Sequence, residues 1–244
     1  MRKVVAAGIG TLCTVFGGKY SASANASPMQ TLAWLAKNNR EPDKRKKGNV
    51  NHPRHPSGEP RLLATPADAY VYAAELITSP GVNRALLKAL GIAGFPIALV
   101  PIPASETTKR RSSDERWPAR DLAEELQSRG MGTVRLCVVN KTAREMQTSS
   151  KVRLPAHDVA ANLDVIARPA RGEAVLFVED VITWGVSVAT IDHVLGWKGP
   201  TAAICVAFSD KGTADCYLPR KRIVEYGATS TPWGVRIYDP ERTT

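Results

Sequence analysis

The 244-residue sequence predicts an α/β fold, a mostly parallel central sheet with helices on both faces. Three observations carry this. Four apolar runs of strand length (Phe95–Ile102, Thr133–Val139, Ala174–Val178 and Thr201–Phe208) are nearly continuous rather than alternating, as strands covered on both faces require. Between them lie helical repeats, with Ala119, Leu122, Ala123 and Leu126 on one stripe and Val188, Ile191 and Leu195 on another, the period of an amphipathic helix. Strand and helix in alternation imply right-handed parallel crossovers. Ser105, Lys141 and Glu179 each follow a strand, at the edge where such sheets bind ligands.

Taken in order, residues Met1 to Tyr20 read as one or two strands with glycine turns, and Pro28 to Lys37 as a helix with proline at its first position. Glu41 to Pro60 has no periodicity and carries Lys44, Arg45, Lys46 and Lys47 in succession. It reads as an exposed flexible loop, either merely solvated or a basic arm for nucleic acid or an anionic substrate. His52 and His55 lie in it with no acid or cysteine at ligand spacing. Thr65 to Leu90 is helical, with Tyr72, Leu76 and Ile77 on one face and a break at Pro80-Gly81. Pro103, Ala104 and Ser105 end the strand that follows, and Lys109-Arg110-Arg111 opens a polar loop. Trp117-Pro118 leads into the next helix, which Gly130 closes. Asn140 to Leu163 is polar, basic and weakly patterned, and beyond Lys211 the pattern fades until a possible edge strand at Val235 to Tyr238.

A net charge of +10 favours anionic partners without choosing among phosphorylated small molecules, nucleic acid and acidic surfaces. No run approaches the roughly 20 apolar residues of a membrane-spanning helix. Cys13, Cys137, Cys205 and Cys216 form no C-x-x-C pair, which argues against zinc and thioredoxin-type chemistry; Cys137 and Cys205 lie in strand runs as small core residues. Arg2 and Lys3 before an apolar run, with SASANAS after it, outline a signal peptide. Gly8, Gly10, Gly17 and Gly18 interrupt that run, and a strand-turn start has the same outline.

The most informative stretch is Ala174 to Val188, AVLFVEDVITWGVSV. An apolar strand ends in Glu179 and Asp180, and Thr183 to Ser187 then turns into a helix start. Backbone N–H groups of such a turn and helix N-terminus converge on an anion, while the acids can accept hydrogen bonds from sugar hydroxyls. A ribose 5-phosphate has both groups in that order.

Val175 to Ser187 resembles the signature of the type I phosphoribosyltransferases, which bind 5-phosphoribosyl 1-pyrophosphate (PRPP) with a strand, two acids and a Thr-Thr-Gly-x-Ser/Thr loop. Trp184 departs from it, since the family has a small residue there. The resemblance implies the family's fold and a magnesium-dependent transfer of ribose 5-phosphate between pyrophosphate and a nitrogen acceptor of nucleobase type. It implies that Glu179 and Asp180, the catalytic pair, hold the ribose hydroxyls. Thr183, Trp184, Gly185, Val186 and Ser187 would then cradle the 5'-phosphate, and Pro103, Ala104, Ser105, Lys141 and Arg144 would face pyrophosphate. Magnesium arrives with PRPP, with Asp180 as the one direct protein ligand considered. Trp184 either packs on the flanking helix or stacks beside the acceptor.

Within that family the order of Val100 to Pro103, Lys109 to Arg111, Trp117, Lys141 to Gln147, Asn162 and Glu179 is similar to the ComF-like, competence-associated branch. That branch implies a second reading, a non-catalytic regulatory or DNA-uptake protein that keeps the fold. The resemblance covers roughly Phe95 to Asp210. The expected organisation is an extension over 1–64, a phosphoribosyltransferase-like domain over 65–210 and a tail over 211–244. A PRPP enzyme implies a cytoplasmic location, a homodimer and no membrane partner, with Lys44 to Lys47 as the candidate nucleic-acid contact. Arg153 is a further loop cation. His193 reads as structural, and His157 is not assigned as a general base.

Overall fold

The computed structural model describes residues 1–13, 66–104, 108, 117–142, 155–210, 220–227 and 234–240. The helix expected at 28–37, the loop with Lys44 to Lys47, and Ser105, Lys109 to Arg111, Arg144, Gln147 and Arg153 lie outside them. In chain order the elements are β1 (Arg2–Cys13), α1 (Pro66–Thr78), α2 (Pro80–Ala89), β2 (Ile97–Pro101), α3 (Pro118–Ser128), β3 (Thr133–Val134), β4 (Val138–Asn140), α4 (Ala156–Ala161), β5 (Leu163–Val165), β6 (Ala174–Ile182), α5 (Val186–Leu195), β7 (Thr201–Asp210), β8 (Arg220–Tyr226) and β9 (Val235–Tyr238).

Seven strands form one sheet in the order β3-β2-β6-β7-β1-β8-β9. The first five run parallel, while β8 and β9 are antiparallel additions at one side. Side chains of β6 alternate across the sheet, with Ala174, Leu176 and Val178 in one core layer and Val175 and Phe177 in the other. The first layer packs under α1, α2 and α3, through residues such as Tyr72, Ile77, Leu86, Leu122 and Leu126. The second packs under α4 and α5, through Ala156, Val188, Ile191 and Leu195. The sheet is therefore covered on both faces, which is why its central strands carry almost no polar residues.

Helix α3 shows what places a helix here. Its buried residues are Ala119, Leu122, Ala123 and Leu126, the stripe read from the sequence. Burying Leu122 and Leu126 contributes about 2 kcal/mol each. The exposed Arg120–Glu124 pair at 2.7 Å contributes roughly 0.4 kcal/mol, so the apolar stripe decides the orientation.

Several elements differ from the sequence reading. Of the one or two strands expected over Met1 to Tyr20, the described residues form one, β1, and its place is what was not foreseen: parallel to β7 and antiparallel to β8. One sheet thus joins strands from the segments 1–64, 65–210 and 211–244. Val4 to Cys13, the described part of the apolar stretch with the outline of a signal peptide, lies inside this sheet. β8 was not foreseen, because Arg220, Lys221, Arg222 and Glu225 mask its pattern; the edge strand expected at Val235 to Tyr238 is β9. Among the described residues no helix is long and apolar enough to cross a membrane.

Thr133 to Val139 is not one strand. β3 pairs with β2 only through Thr133 and Val134, and Arg135 N–H still donates to Leu99 O at 2.8 Å. The next rung needs an N–H from Pro101, which has none. The chain leaves the sheet there and forms β4, which pairs with β5 in a two-stranded antiparallel sheet. The segment 140–163 was read as weakly patterned, yet it ends in α4 and runs on into β5.

Helix α5 is tied to the sheet by a buried carboxylate. Asp192 is fully buried. Arg2 donates to it from Nε at 2.6 Å and from Nη2 at 2.8 Å, and Tyr226 Oη donates at 2.6 Å. Arg2 also reaches Trp197 O at 2.9 Å. Burial pushes the Asp192 carboxyl up, and Tyr226 and Arg2 pull it back only in part. At the opposite side, Glu173 accepts from Arg135 Nη2 at 2.9 Å and from Ala170 N–H at 2.6 Å. Burial raises the Glu173 carboxyl, but those two bonds outweigh it and hold the group below its ordinary value of 4.5.

Two outcomes follow. Arg2→Ala strands a buried charge and is expected to cost roughly 2 kcal/mol in urea unfolding near neutral pH, with a smaller cost in acid as Asp192 takes a proton. Glu173, being depressed, stabilises the fold above pH 4.5 and loses that contribution as pH falls below it. A Glu173→Gln variant should accordingly show a flatter stability curve below pH 4.5 than the parent, and equal slopes would contradict the assignment.

Candidate functional site at the strand ends

Because β3, β2, β6, β7 and β1 are parallel, their C-terminal ends share one edge. Ile102 N–H donates to Val178 O at 2.9 Å, which brings Pro103 and Ala104 alongside the acids of β6. Glu179 and Asp180 are half-buried. They lie inside the strand rather than beyond it, since β6 runs on to Ile182 and Glu179 pairs with Cys205 of β7. Asp180 Oδ1 accepts the N–H of Val181 at 2.8 Å, which orients the carboxylate at the edge.

The turn after β6 is Thr183, Trp184 and Gly185. Gly185 has φ +72° and ψ 5°, and no side chain caps the helix it opens. The first N–H groups of a helix have no intrahelical acceptor, and those of Val186, Ser187 and Val188 begin α5 at this edge. A Cβ on Gly185 would lie 2.9 Å from both Val224 methyls, so the position needs glycine for conformation and for space. Trp184 stands at the tip of the turn with 44% of its surface exposed. Ser187 is half-buried in the first turn of α5.

Two loops are rooted beside the acids. Trp117 is buried, and its indole Nε1 donates to Ile102 O at 2.6 Å, closing the base of the loop 102–117. Pro103 is buried, and Ala104 O accepts from Nδ2 of the fully buried Asn140 at 2.6 Å. Thr108 forms an isolated parallel bridge to Asn140. The second loop, 141–162, is closed by Asn162, whose Oδ1 accepts from Thr142 N and Oγ1 at 3.2 and 2.9 Å while its Nδ2 donates to Thr142 O at 2.9 Å. Lys141 is exposed, and its Nζ donates to Ala161 O at 2.7 Å. In this conformation its charge serves the loop base.

The sequence-selected residues Glu179, Asp180, Thr183, Trp184, Gly185, Val186, Ser187, Pro103, Ala104 and Lys141 all lie on the elements and roots of this one edge. Ser105 and Arg144 lie outside the described residues. Asn140 was read only as the start of a polar segment, although its place directly after an apolar run was a usable signal. Arg222 was missed altogether. It sits on β8 with its guanidinium carbon 4.9 Å from the centre of the Phe208 ring.

Among the described residues no three His, Cys, Asp or Glu side chains gather as a metal cage. His193 is exposed on α5, and His157 lies 3.3 Å from Asp158 on α4. Cys137 and Cys205 are free and buried, as expected of core residues. Burial pushes the Cys137 thiol up to about 11. Cys205 is also raised, by burial first and then by Glu179 and Asp180, while Arg222 opposes them. Neither thiol suits nucleophilic chemistry.

No protein-family model matches this chain, and no curated protein is similar to it.

Gly185→Ala tests the turn. The left-handed backbone and the overlap with Val224 should together cost about 2 kcal/mol in urea unfolding. A Gly185→Ala/Val224→Ala double variant should recover the steric share, and a neutral Gly185→Ala would contradict this turn geometry.

Proposed function

We propose that the chain is a type I phosphoribosyltransferase that binds PRPP at the C-terminal sheet edge and transfers ribose 5-phosphate to a nitrogen acceptor. One observation carries the reading. A half-buried acid pair on a central parallel strand leads, through a left-handed glycine with no room for a side chain, into an uncapped helix N-terminus. That construction offers carboxylates to a diol and backbone donors to a phosphate, in the order of a ribose 5-phosphate.

In this reading Glu179 and Asp180 accept hydrogen bonds from the ribose 2'- and 3'-hydroxyls and fix the ring. Their negative charge also favours the oxocarbenium character that develops as the bond from the anomeric carbon to pyrophosphate breaks. The acceptor nitrogen forms the new bond to that carbon and loses its proton, while pyrophosphate leaves with the electron pair. The N–H groups of Val186 to Val188 hold the 5'-phosphate, and the basic residues of the segments that begin at Ala104 and Lys141 are the candidates to face the leaving group. Much of the acceleration in such a reaction is positioning.

A carboxylate suits a magnesium ion that would be carried by PRPP, and Asp180 is the residue that would hold it. When bound, the ion neutralises charge on the leaving pyrophosphate. Exposed Trp184 in the phosphate turn favours the second reading, a ComF-type protein that binds PRPP or a nucleotide without turnover and handles nucleic acid through Lys44 to Lys47.

Calorimetric titration with PRPP and magnesium decides the matter. The wild-type chain should bind, and Asp180→Asn, which keeps the shape and removes the charge, should weaken binding about tenfold or more. A wild-type chain that binds neither PRPP nor a nucleoside 5'-phosphate sinks both readings. Binding without turnover over a panel of bases selects the second.

A further inference from the structure

Arg222 lies in a segment that the sequence reading left in the tail, yet the fold brings it to the edge just described. Its Cα pairs with Ala6 of β1, in the interior of the sheet. Its guanidinium nevertheless lies over Phe208, near the C-terminal end of β7, so the side chain reaches along the sheet toward the strand ends. Phe208 is fully buried and supplies an aromatic floor, the kind of surface on which a guanidinium stacks.

The phosphate turn is close by. Gly185 lies against Val224, which is two residues from Arg222 on the same strand and therefore on the same face. That is the face covered by α5. Because β8 runs antiparallel to β1, Arg222 is displaced from Val224 toward the C-terminal edge, the side on which α5 begins. The acids are near as well: Glu179 pairs with Cys205 of β7, three residues before Phe208 on the same strand.

We propose that Arg222 is a binding residue of this site, a guanidinium held over Phe208 beside the Thr183–Gly185 turn that takes the 5'-phosphate of the ligand. This rests on the PRPP reading and adds a cation from outside the signature. The backbone N–H groups of α5 carry only partial charge, and the two neighbouring carboxylates disfavour an anion. A full positive charge on the facing strand offsets them, and its planar fork suits two phosphate oxygens.

The test uses the full-length chain and ribose 5-phosphate, with PRPP in parallel. Arg222→Met keeps the apolar stem and should raise both dissociation constants about tenfold or more. Arg222→Lys, with charge but no fork, should fall between that and the parent, all at an unchanged unfolding midpoint. A wild-type measurement covers the case in which the variants do not fold. Saturating ribose 5-phosphate should protect Arg222 from phenylglyoxal, as mapped by peptide mass spectrometry. If Arg222→Met binds like the parent, or Arg222 is modified equally fast with and without ligand, the assignment of Arg222 is overturned while the PRPP reading stands. If the parent chain binds neither compound, both fall.

Discussion

Helix α5 sits where it does because both of its ends are fastened to strands that come from opposite ends of the chain. At one end Gly185 lies against Val224 of β8 with no room for a Cβ. Near the other, buried Asp192 is held by Arg2 of β1 and Tyr226 of β8. A fully buried carboxylate is tolerated only when its oxygens are satisfied, so the helix cannot slide or rotate without uncovering that charge. The N-terminus of α5 is thereby held at the strand ends, beside Glu179 and Asp180. The geometry of this edge depends on that constraint.

The same constraint explains why the sheet includes the first strand. β1 fills the gap between β7 and β8, and Gly8 lets it approach: a Cβ there would be 3.0 Å from Cys205 Sγ and from the Phe208 ring. Phe208 in turn carries Arg222. One close contact in the core thus connects the N-terminal strand, the end of β7 and the cation of β8. The loops follow another logic. Trp117, Asn140 and Asn162 bind backbone groups at the roots of the segments 102–117 and 141–162, so the edge is framed by side chains that recognise peptide groups and carry no charge.

The α/β class, the covered parallel strands, the stripe of α3 and the presence of an acid pair before a glycine turn were all legible in residue order. Each is a local property: a run of apolar residues, a period of 3.6, or an acid pair followed by a glycine turn. Burial and backbone conformation enforce such patterns within a few neighbours. The end of β3 was legible in principle as well, because Pro101 cannot donate the next rung, but seeing it required knowing which strand β3 pairs with.

Tertiary structure alone decided the rest. Arg2–Cys13 has the outline of a signal segment or of a strand, and pairing with β7 and β8 makes it a strand of the main sheet. Arg220–Tyr226 is too charged to read as a strand, and gains that form from the ladder it shares with β1 and β9. Asp192 is one acid among many in sequence, and becomes a structural anchor only when Tyr226 and Arg2 meet it across 34 residues on one side and 190 on the other. Long-range pairing chooses partners by shape and charge in space, and residue order records only the candidates. For AVLFVEDVITWGVSV, sequence determined a strand, two acids and a glycine turn. The folded chain set what stands around them: Val224 beneath the glycine, Cys205 beside Glu179, and Arg222 over Phe208.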